Sequence, residues 1–228
     1  MGKVISIDHL KLYDYDGIMT LNDFNNISNN NVDFSKNYAR IILDHKLVEI
    51  TNNIVVLPGR EFIPQKIFGK FPIGSEDVRS HYVTHFGIGS GGSNSTGGLI
   101  TLNGPDSCDK DLLDPIQIDP GNSIFLTSPN GVNNVVKSIE SDGFFDFAEN
   151  PDENLQCPGE NYYTIVKASC VITNDEPTNL TVGNTVKVDE AALYAVHGNN
   201  TRLFARITFP PHYIGVDTIF TVEWFVVS

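Results

Sequence analysis

The chain has 228 residues, of which 19% are charged, and its formal net charge at pH 7 is −13. A chain of this length is expected to form one domain with a sizeable core, and it has no Lys/Arg cluster of the kind that nucleic-acid binding requires. The sequence has no apolar leader region at its start and no run of about eighteen apolar residues, so we expect neither a signal peptide nor a membrane span.

The first fifty residues are predicted to form an N-terminal arm and one short helix. The Asn-rich stretch Asn25–Asn31 has too few apolar residues to build a core and is expected to be a loop or an extended arm. Asp33 or Ser35 can cap a helix of about twelve residues. Its apolar and aromatic positions, at spacings of three and four, are Phe34, Tyr38, Ile41, Ile42 and His45. The predicted division is therefore 1–50 for the arm and helix and 51–228 for a β domain.

Short strands separated by Pro, Gly and Asn turns are predicted from residue 51 onward. They are Ile54–Leu57, Tyr82–Ile88, Ile124–Thr127, Val135–Ile139 and Tyr162–Thr173. Many short strands at a spacing of about ten residues favour a sandwich. The predicted fold class is mainly β: an antiparallel β-sandwich or jelly-roll-like domain with one short N-terminal helix and long loops.

The last forty residues predict three consecutive strands, Ala191–Val196, Thr201–Phe209 and Asp217–Val227. Pro210-Pro211 is expected to end the second strand, because proline cannot donate to a ladder. The third strand is mostly apolar on both of its faces. We therefore predict that it is buried on both sides, within the domain or against a neighbouring subunit.

The segment Gly87-Ile-Gly-Ser-Gly-Gly92 has the form of a dinucleotide-binding turn, GxGxxG. Such a site also needs a helix that opens at the third glycine, and Ser93-Asn-Ser-Thr-Gly-Gly is a poor helix start. We interpret Gly87–Gly98 as a glycine loop between strands, either mobile or ordered only against a neighbouring subunit.

Four aspartates crowd a single loop at Asp106, Asp109, Asp111 and Asp114. Calcium needs several converging oxygens, but this loop lacks the central glycine and closing glutamate of an EF-hand. A solvated acidic loop is the simpler reading, and the sequence leaves cation binding at Asp106–Asp114 open.

The remaining chemically interesting side chains predict no catalytic, cofactor-binding or metal-binding residues. His81 and His85 lie about 13 Å apart if they share a strand, too far for one metal ion, and we expect His85 to donate to a backbone carbonyl. Cys108, Cys157 and Cys170 are predicted to be free thiols, with a disulfide between the last two as the alternative. No nucleophile elbow of the form GxSxG is present, which disfavours an enzyme.

Two segments resemble a known family. The pattern Glu190-Ala-x-Leu-Tyr, a Gly/Asn turn, Leu203-Phe-Ala-Arg-x-Thr-Phe-Pro and a strand containing Glu223-Trp224 is similar to the C-terminal portion of many tailed-bacteriophage virion proteins. The run Tyr82-Val-Thr-His-Phe-Gly-Ile-Gly-Ser-Gly-Gly92 resembles a second segment of the same group, which includes bases of tail fibres and neck or baseplate components. Ala192 departs from the glycine usual in that pattern. Together the segments cover about a quarter of the chain.

The resemblance implies a non-enzymatic structural subunit of the neck, tail or baseplate, located in the virion and assembled in the host cytoplasm. Its expected partners are copies of itself in a ring or oligomer and other virion proteins, without a cofactor, sequence-specific nucleic acid or membrane insertion. The alternative function is a host-attachment or carbohydrate-binding β-sandwich of a head or tail fibre. The predicted subunit interface, at the tip of the hairpin 191–209, comprises Tyr194, Phe204, Arg206 and Phe209.

Overall fold

The structure is a computed structural model. The residues that it describes are 13–14, 17–18, 37–60, 81–118, 123–127, 133–139, 144–148, 165–173, 176, 184–197 and 200–227. They are mainly β-strands in antiparallel sheets, which confirms the mainly β fold class. The predicted Asn-rich arm at Asn25–Asn31 lies outside the described residues. In the described part of the chain, no helix has the length and apolar character needed to cross a membrane.

The described elements are fifteen strands and one short helix. The strands before residue 100 are β1 Tyr13–Asp14, β2 Gly17–Ile18, β3 Tyr38–Leu43, β4 Lys46–Asn52, β5 Ile54–Val55, β6 Tyr82–Gly89, β7 Ser93–Thr96 and β8 Leu99–Leu102. The later strands are β9 Ser123–Thr127, β10 Asn133–Ser138, β11 Phe144–Ala148, β12 Ile165–Ile172, β13 Val186–His197, β14 Asn200–Ile214 and β15 Phe220–Val227. The helical turn α1, Leu57–Arg60, begins at Leu57, which is the last residue of the strand predicted over Ile54–Leu57.

Two large sheets contain most of these strands. The first has the order β13-β6-β10-β9-β14-β5, and β13 also pairs with β14, so this sheet closes on itself. Its β14–β9 contact is a single parallel pair, and its other pairings are antiparallel. The second sheet has the order β11-β12-β15-β3-β4 and is antiparallel throughout. The hairpin β7–β8 forms a separate two-stranded sheet.

One hydrophobic cluster contains residues of both large sheets. Leu193 and Ile207 enter it from the first sheet, and Ile41 and Trp224 enter it from the second. Trp224 lies between Ala39 and Ala168 in the strand register, and all three are buried. The two small neighbours leave room for the indole, which is the largest fully buried side chain among the described residues.

The terminal strand β15 is buried on both faces, as predicted. Phe220 and Val222 share the core face with Trp224, while Glu223 and Phe225 on the opposite face are also buried. Phe225 stacks on the Tyr38 ring with the centroids 4.5 Å apart.

The predicted helix over Asp33–His45 is wrong within the described residues, because Tyr38–Leu43 form β3. Ala39 and Ile41 belong to the core cluster, while Tyr38 and Arg40 on the other face are buried as well. A strand buried on both faces shows no clear alternation, so its apolar residues also fit a helical spacing. The turn residues Asp44 and His45 have φ angles of 46° and 64°, which end any helix. The predicted boundary at residue 50 falls inside β4, and the division itself stays a prediction.

The expectation that Pro210-Pro211 ends a strand is also wrong, because β14 continues through both prolines to Ile214. The register jumps here: Glu190 pairs with Thr208, and Val188 pairs with His212. Three residues of β14 therefore face the single residue Asp189. This bulge lets the prolines lie where no ladder donor is required.

Candidate functional site

The two adjacent acidic residues of β13, Asp189 and Glu190, are fully buried. They lie at the bulge opposite Pro210-Pro211, where β13 is flanked by β6 and β14. A carboxylate that is removed from water needs hydrogen-bond donors or a cation to compensate its lost hydration. Glu190 finds them in the loop after β6, in the segment that follows β8 and on β14. Asp189 finds them in the loop after β6, at the start of β7 and at Lys187 of its own strand.

The carboxylate of Glu190 accepts five hydrogen bonds. Its Oε1 atom accepts from the backbone N–H groups of Gly91 at 3.1 Å and Asp114 at 2.9 Å. Its Oε2 atom accepts from the Leu113 N–H at 3.2 Å and from Nε and Nη2 of Arg206 at 2.9 and 2.7 Å. One side chain of β13 thus joins β14 to two separate loops.

Arg206 connects this carboxylate to a second one. Its Nη1 atom lies 2.8 Å from Oδ2 of Asp109, and the Arg206 side chain is 1% exposed. The same Asp109 oxygen accepts the N–H of Asp106 at 2.9 Å. A planar guanidinium can bond two carboxylates at once because its donors point in fixed, diverging directions.

Asp189 holds the start of the hairpin β7–β8. Its Oδ1 atom accepts the N–H of Gly92 at 2.8 Å, and its Oδ2 atom accepts the hydroxyl of Ser93. Lys187 Nζ lies 2.6 Å from the same Oδ2 atom and also donates to the carbonyl of Ser93 at 3.1 Å. The base of the hairpin is therefore bound to β13 by side-chain and backbone groups together.

The Tyr194 hydroxyl donates to Oδ1 of Asp111 at 2.7 Å, and this oxygen also accepts the Leu112 N–H at 2.9 Å. Burial raises the pKa of Tyr194 well above its ordinary value, and the negative charge of Asp111 raises this pKa further. The hydroxyl consequently stays protonated and serves as a donor.

The four carboxylates described above and the arginine that joins two of them are treated together. We call Asp109, Asp111, Asp189 and Glu190, together with Arg206, the carboxylate cluster.

The four aspartates of the predicted acidic loop bind different partners in the structure. Asp109 pairs with Arg206, Asp111 accepts from Tyr194, and Asp114 accepts from the Ser90 hydroxyl. Asp106 accepts the N–H of Cys108 at 2.7 Å within its own turn. Within the described ranges, no three His, Cys, Asp or Glu side chains are grouped so that they could hold a metal ion.

The glycine segment is not one continuous loop. Strand β6 extends to Gly89, and Gly97-Gly98, with φ angles of 61° and 82°, form the turn of the hairpin β7–β8. A Cβ atom on Gly92 would overlap the Asp189 carbonyl, and one on Gly89 would lie 2.5 Å from Glu190 Oε1. The glycines let the chain approach β13 closely, a role different from that of a phosphate-binding turn.

The residues predicted as a subunit interface lie away from the hairpin tip, where His197 pairs with Asn200. Tyr194, Arg206 and Phe209 are buried within the chain, and Phe204 is partly buried against the core cluster. Arg206 pairs with Ala192 in the register and is occupied by the carboxylate cluster. The expected position at the hairpin tip is therefore corrected, while an interface role for the four stays a prediction.

The structure describes His85 and two of the three cysteines. His85 is buried, and its Nδ1 atom lies 2.8 Å from the Thr84 hydroxyl, while its bond to a backbone carbonyl stays a prediction. Cys108 is exposed and Cys170 is buried, and both are free thiols, which contradicts the alternative disulfide. Cys157 lies outside the described residues.

A buried ion pair that the sequence did not predict joins the two sheets. Lys137 of β10 is 0% exposed, and its Nζ atom lies 2.6 Å from Oε1 of Glu176. The same ammonium donates to the carbonyl of Val171, in β12 of the second sheet, at 3.0 Å. Glu176 in turn accepts the Thr173 N–H at 2.7 Å.

Sequence reasoning treated Glu190 as part of a pattern and did not find that it is the centre of the cluster. One local signal was available: Asp189-Glu190 directly precedes the apolar run Ala191–Val196, so two charges begin a strand that must be buried. Arg206 is sixteen residues further along the chain, and the other partners come from segments about eighty to one hundred residues away, which no local pattern reveals. Comparison of the chain with models of protein families, with curated proteins and with solved structures finds no match.

Proposed function

We propose that this chain is a non-enzymatic structural subunit of a tailed-bacteriophage virion that joins components of the neck, tail or baseplate. It assembles in the host cytoplasm with copies of itself, as a ring or other oligomer, and with further virion proteins. The role needs no cofactor.

The observation that carries the proposal is the meeting of the two segments that resemble virion proteins. Strand β6 and its glycine loop pair with β13 over the register from Glu190↔Gly89 to Val196↔Tyr82. Glu190 of the first motif line binds Arg206 of the same line and the N–H of Gly91 in the second. The residues that carry the resemblance thus bind one another and form one structural unit. A shared unit of this kind is what a common fold among virion proteins requires.

We also infer that the two large sheets face each other as a β-sandwich, a fold suited to a packing module. The shared hydrophobic cluster supports this arrangement, and so does the contact from Lys137 to Val171 across the sheets. The jelly-roll-like connection of the strands stays a prediction.

The test is a nonsense mutation in the gene for this chain, in the phage that encodes it. Particles purified from a suppressing host should contain the chain in a fixed number of copies, measured by quantitative mass spectrometry. A non-suppressing host should yield headless tails, tailless heads or incomplete baseplates in electron micrographs. A synonymous change at the same codon is the matched control.

Complete, infectious particles that lack the chain would refute the proposal. Complete particles that fail only to adsorb to cells would instead support the host-attachment alternative.

A further inference from the structure

Exposed apolar side chains are concentrated at the hairpin β7–β8. In the described part of the chain, seven large hydrophobic residues are exposed, and four of them lie on this hairpin or against its base. They are Leu99 at 70%, Ile100 at 49%, Leu102 at 44% and Leu113 at 59% exposure. Leu102 pairs with Ser93 at the base, and a Cβ atom on Gly91, two residues earlier, would lie 2.6 Å from the Leu113 Cβ. Ile100 and Leu102 share one face of β8, and Leu99 lies on the other face. We call the four residues the hairpin patch.

The hairpin is fixed by contacts within the chain itself. Its base is bound to Asp189 through the Gly92 N–H and the Ser93 hydroxyl. Asn103, directly after β8, donates its side-chain amide to the Gly91 carbonyl at 2.8 Å. A surface that is ordered in advance loses little conformational entropy on binding.

The charge distribution indicates the kind of partner. The whole chain carries a net charge of −13, yet Gly87–Pro105 contains no charged residue. Copies of an acidic chain repel one another, and the repulsion is smallest where the contact itself is uncharged. A partner of opposite charge would instead be recognised by an acidic surface. The neutral hairpin therefore fits a partner that has the same charge as this chain.

Strand β8 of the hairpin also lacks the charged residues and prolines that keep edge strands apart. Edge strands usually avoid association by carrying charges or proline. Strand β4, at the edge of the second sheet, carries Lys46 and Glu49, whereas β8 has the sequence Leu-Ile-Thr-Leu. Among the described residues β8 pairs only with β7.

We propose that the hairpin patch is the surface through which two copies of this chain associate, with β8 of one copy antiparallel to β8 of the other. A two-fold axis through Thr101 places Ile100 of each copy opposite Leu102 of its partner, on the same face of the joined sheet, and so buries both side chains. This inference rests on the part of the proposed function in which copies of the chain associate.

The experiment is sedimentation velocity of the full chain over a range of concentrations. The wild type should self-associate, and Ile100→Asn/Leu102→Asn should weaken the association about a hundred-fold or more, because two isoleucines and two leucines per dimer are no longer buried. Tyr213→Asn, which changes a 62% exposed aromatic residue outside the patch, is the matched control and should associate like the wild type. At a concentration low enough for each to be monomeric, thermal unfolding of all three should coincide, since the changed side chains are exposed in the single chain.

Hydrogen exchange gives a second, independent measurement. The amides of residues 99–102 should gain protection as the wild-type concentration rises, and those of the double variant should not. A wild type that stays monomeric, or a double variant that associates as strongly as the wild type, would overturn the inference. A monomeric chain that binds another virion protein through the hairpin would assign the patch to that protein. In both monomeric cases the nonsense-mutation test decides separately whether the chain is a virion subunit.

Discussion

Replacing Arg206 by methionine tests whether the carboxylate cluster fixes the fold. Arg206→Met keeps a long side chain in the site but removes the cation between Glu190 and Asp109. Glu190 would lose two of its five hydrogen bonds and remain fully buried. Asp109 would lose its contact with the Nη1 atom.

The expected loss in the free energy of unfolding is about 3–5 kcal/mol, the range for removing one partner of a buried ion pair. This is a large part of the roughly 5–15 kcal/mol that stabilises a domain. Arg206→Lys should cost less, about 1–3 kcal/mol, because one ammonium keeps the charge but cannot bond both carboxylates in the same geometry. Adding Glu190→Gln to Arg206→Met should cost less than the sum of the single changes, since the uncompensated charge is then gone.

The assay is urea unfolding followed by the fluorescence of Trp224, the chain's single tryptophan, which is fully buried. Lys110→Met is the matched control, because Lys110 is exposed and follows Asp109 directly; it should change stability by less than about 0.5 kcal/mol. An Arg206→Met chain as stable as Lys110→Met would refute a structural role for the cluster. The predicted interface role of Arg206 would then be the remaining explanation for this residue.

Three further predictions concern the core and the titratable groups. Trp224→Ala should lower the free energy of unfolding by about 3–5 kcal/mol in a urea titration followed by circular dichroism, and a loss below about 1 kcal/mol would contradict its core position. Burial lowers the pKa of His212, so the unfolded chain binds this proton more readily and His212 makes the fold less stable as the pH falls below about 6.5. His212→Gln should remove that contribution, and an unchanged pH dependence would argue against it. Burial raises the pKa of the Cys170 thiol, so iodoacetamide should modify Cys108 in the folded chain and Cys170 only after unfolding, as peptide mass spectrometry would detect.

The C-terminal strands could be predicted because their local signals agree with their environment. The turn near Gly198 and the β-branched and aromatic residues of β14 indicate a hairpin, and the two apolar faces of β15 indicate burial on both sides. Pro210-Pro211 misled the prediction because its effect depends on the partner strand. Opposite a bulge, the sheet makes no hydrogen bond to the backbone nitrogen, so a proline at that position costs none.

The predicted helix failed for a different reason. Tyr38–Leu43 contains Arg40, which a solvent-facing helix position would accommodate easily. In the structure Arg40 lies on a buried face, where its Nη1 atom is 3.2 Å from Oε2 of Glu223 on the neighbouring strand. That pairing comes from residues about 180 positions apart, so no local pattern indicates that the arginine is buried. The roles of Asp109 and Asp111 were hidden in the same way, since their partners are on β13 and β14.

The distribution of buried charge implies that the cluster specifies an arrangement more than it adds stability. A buried ion pair is often no more stable than apolar residues of the same volume, although breaking it is costly. Glu190 and Asp189 accept the N–H groups of Gly91 and Gly92 and so hold these two groups in one register against β13. The hairpin β7–β8 starts at Ser93, directly after these glycines, so the contacts that fix the loop also fix the position of its exposed leucines.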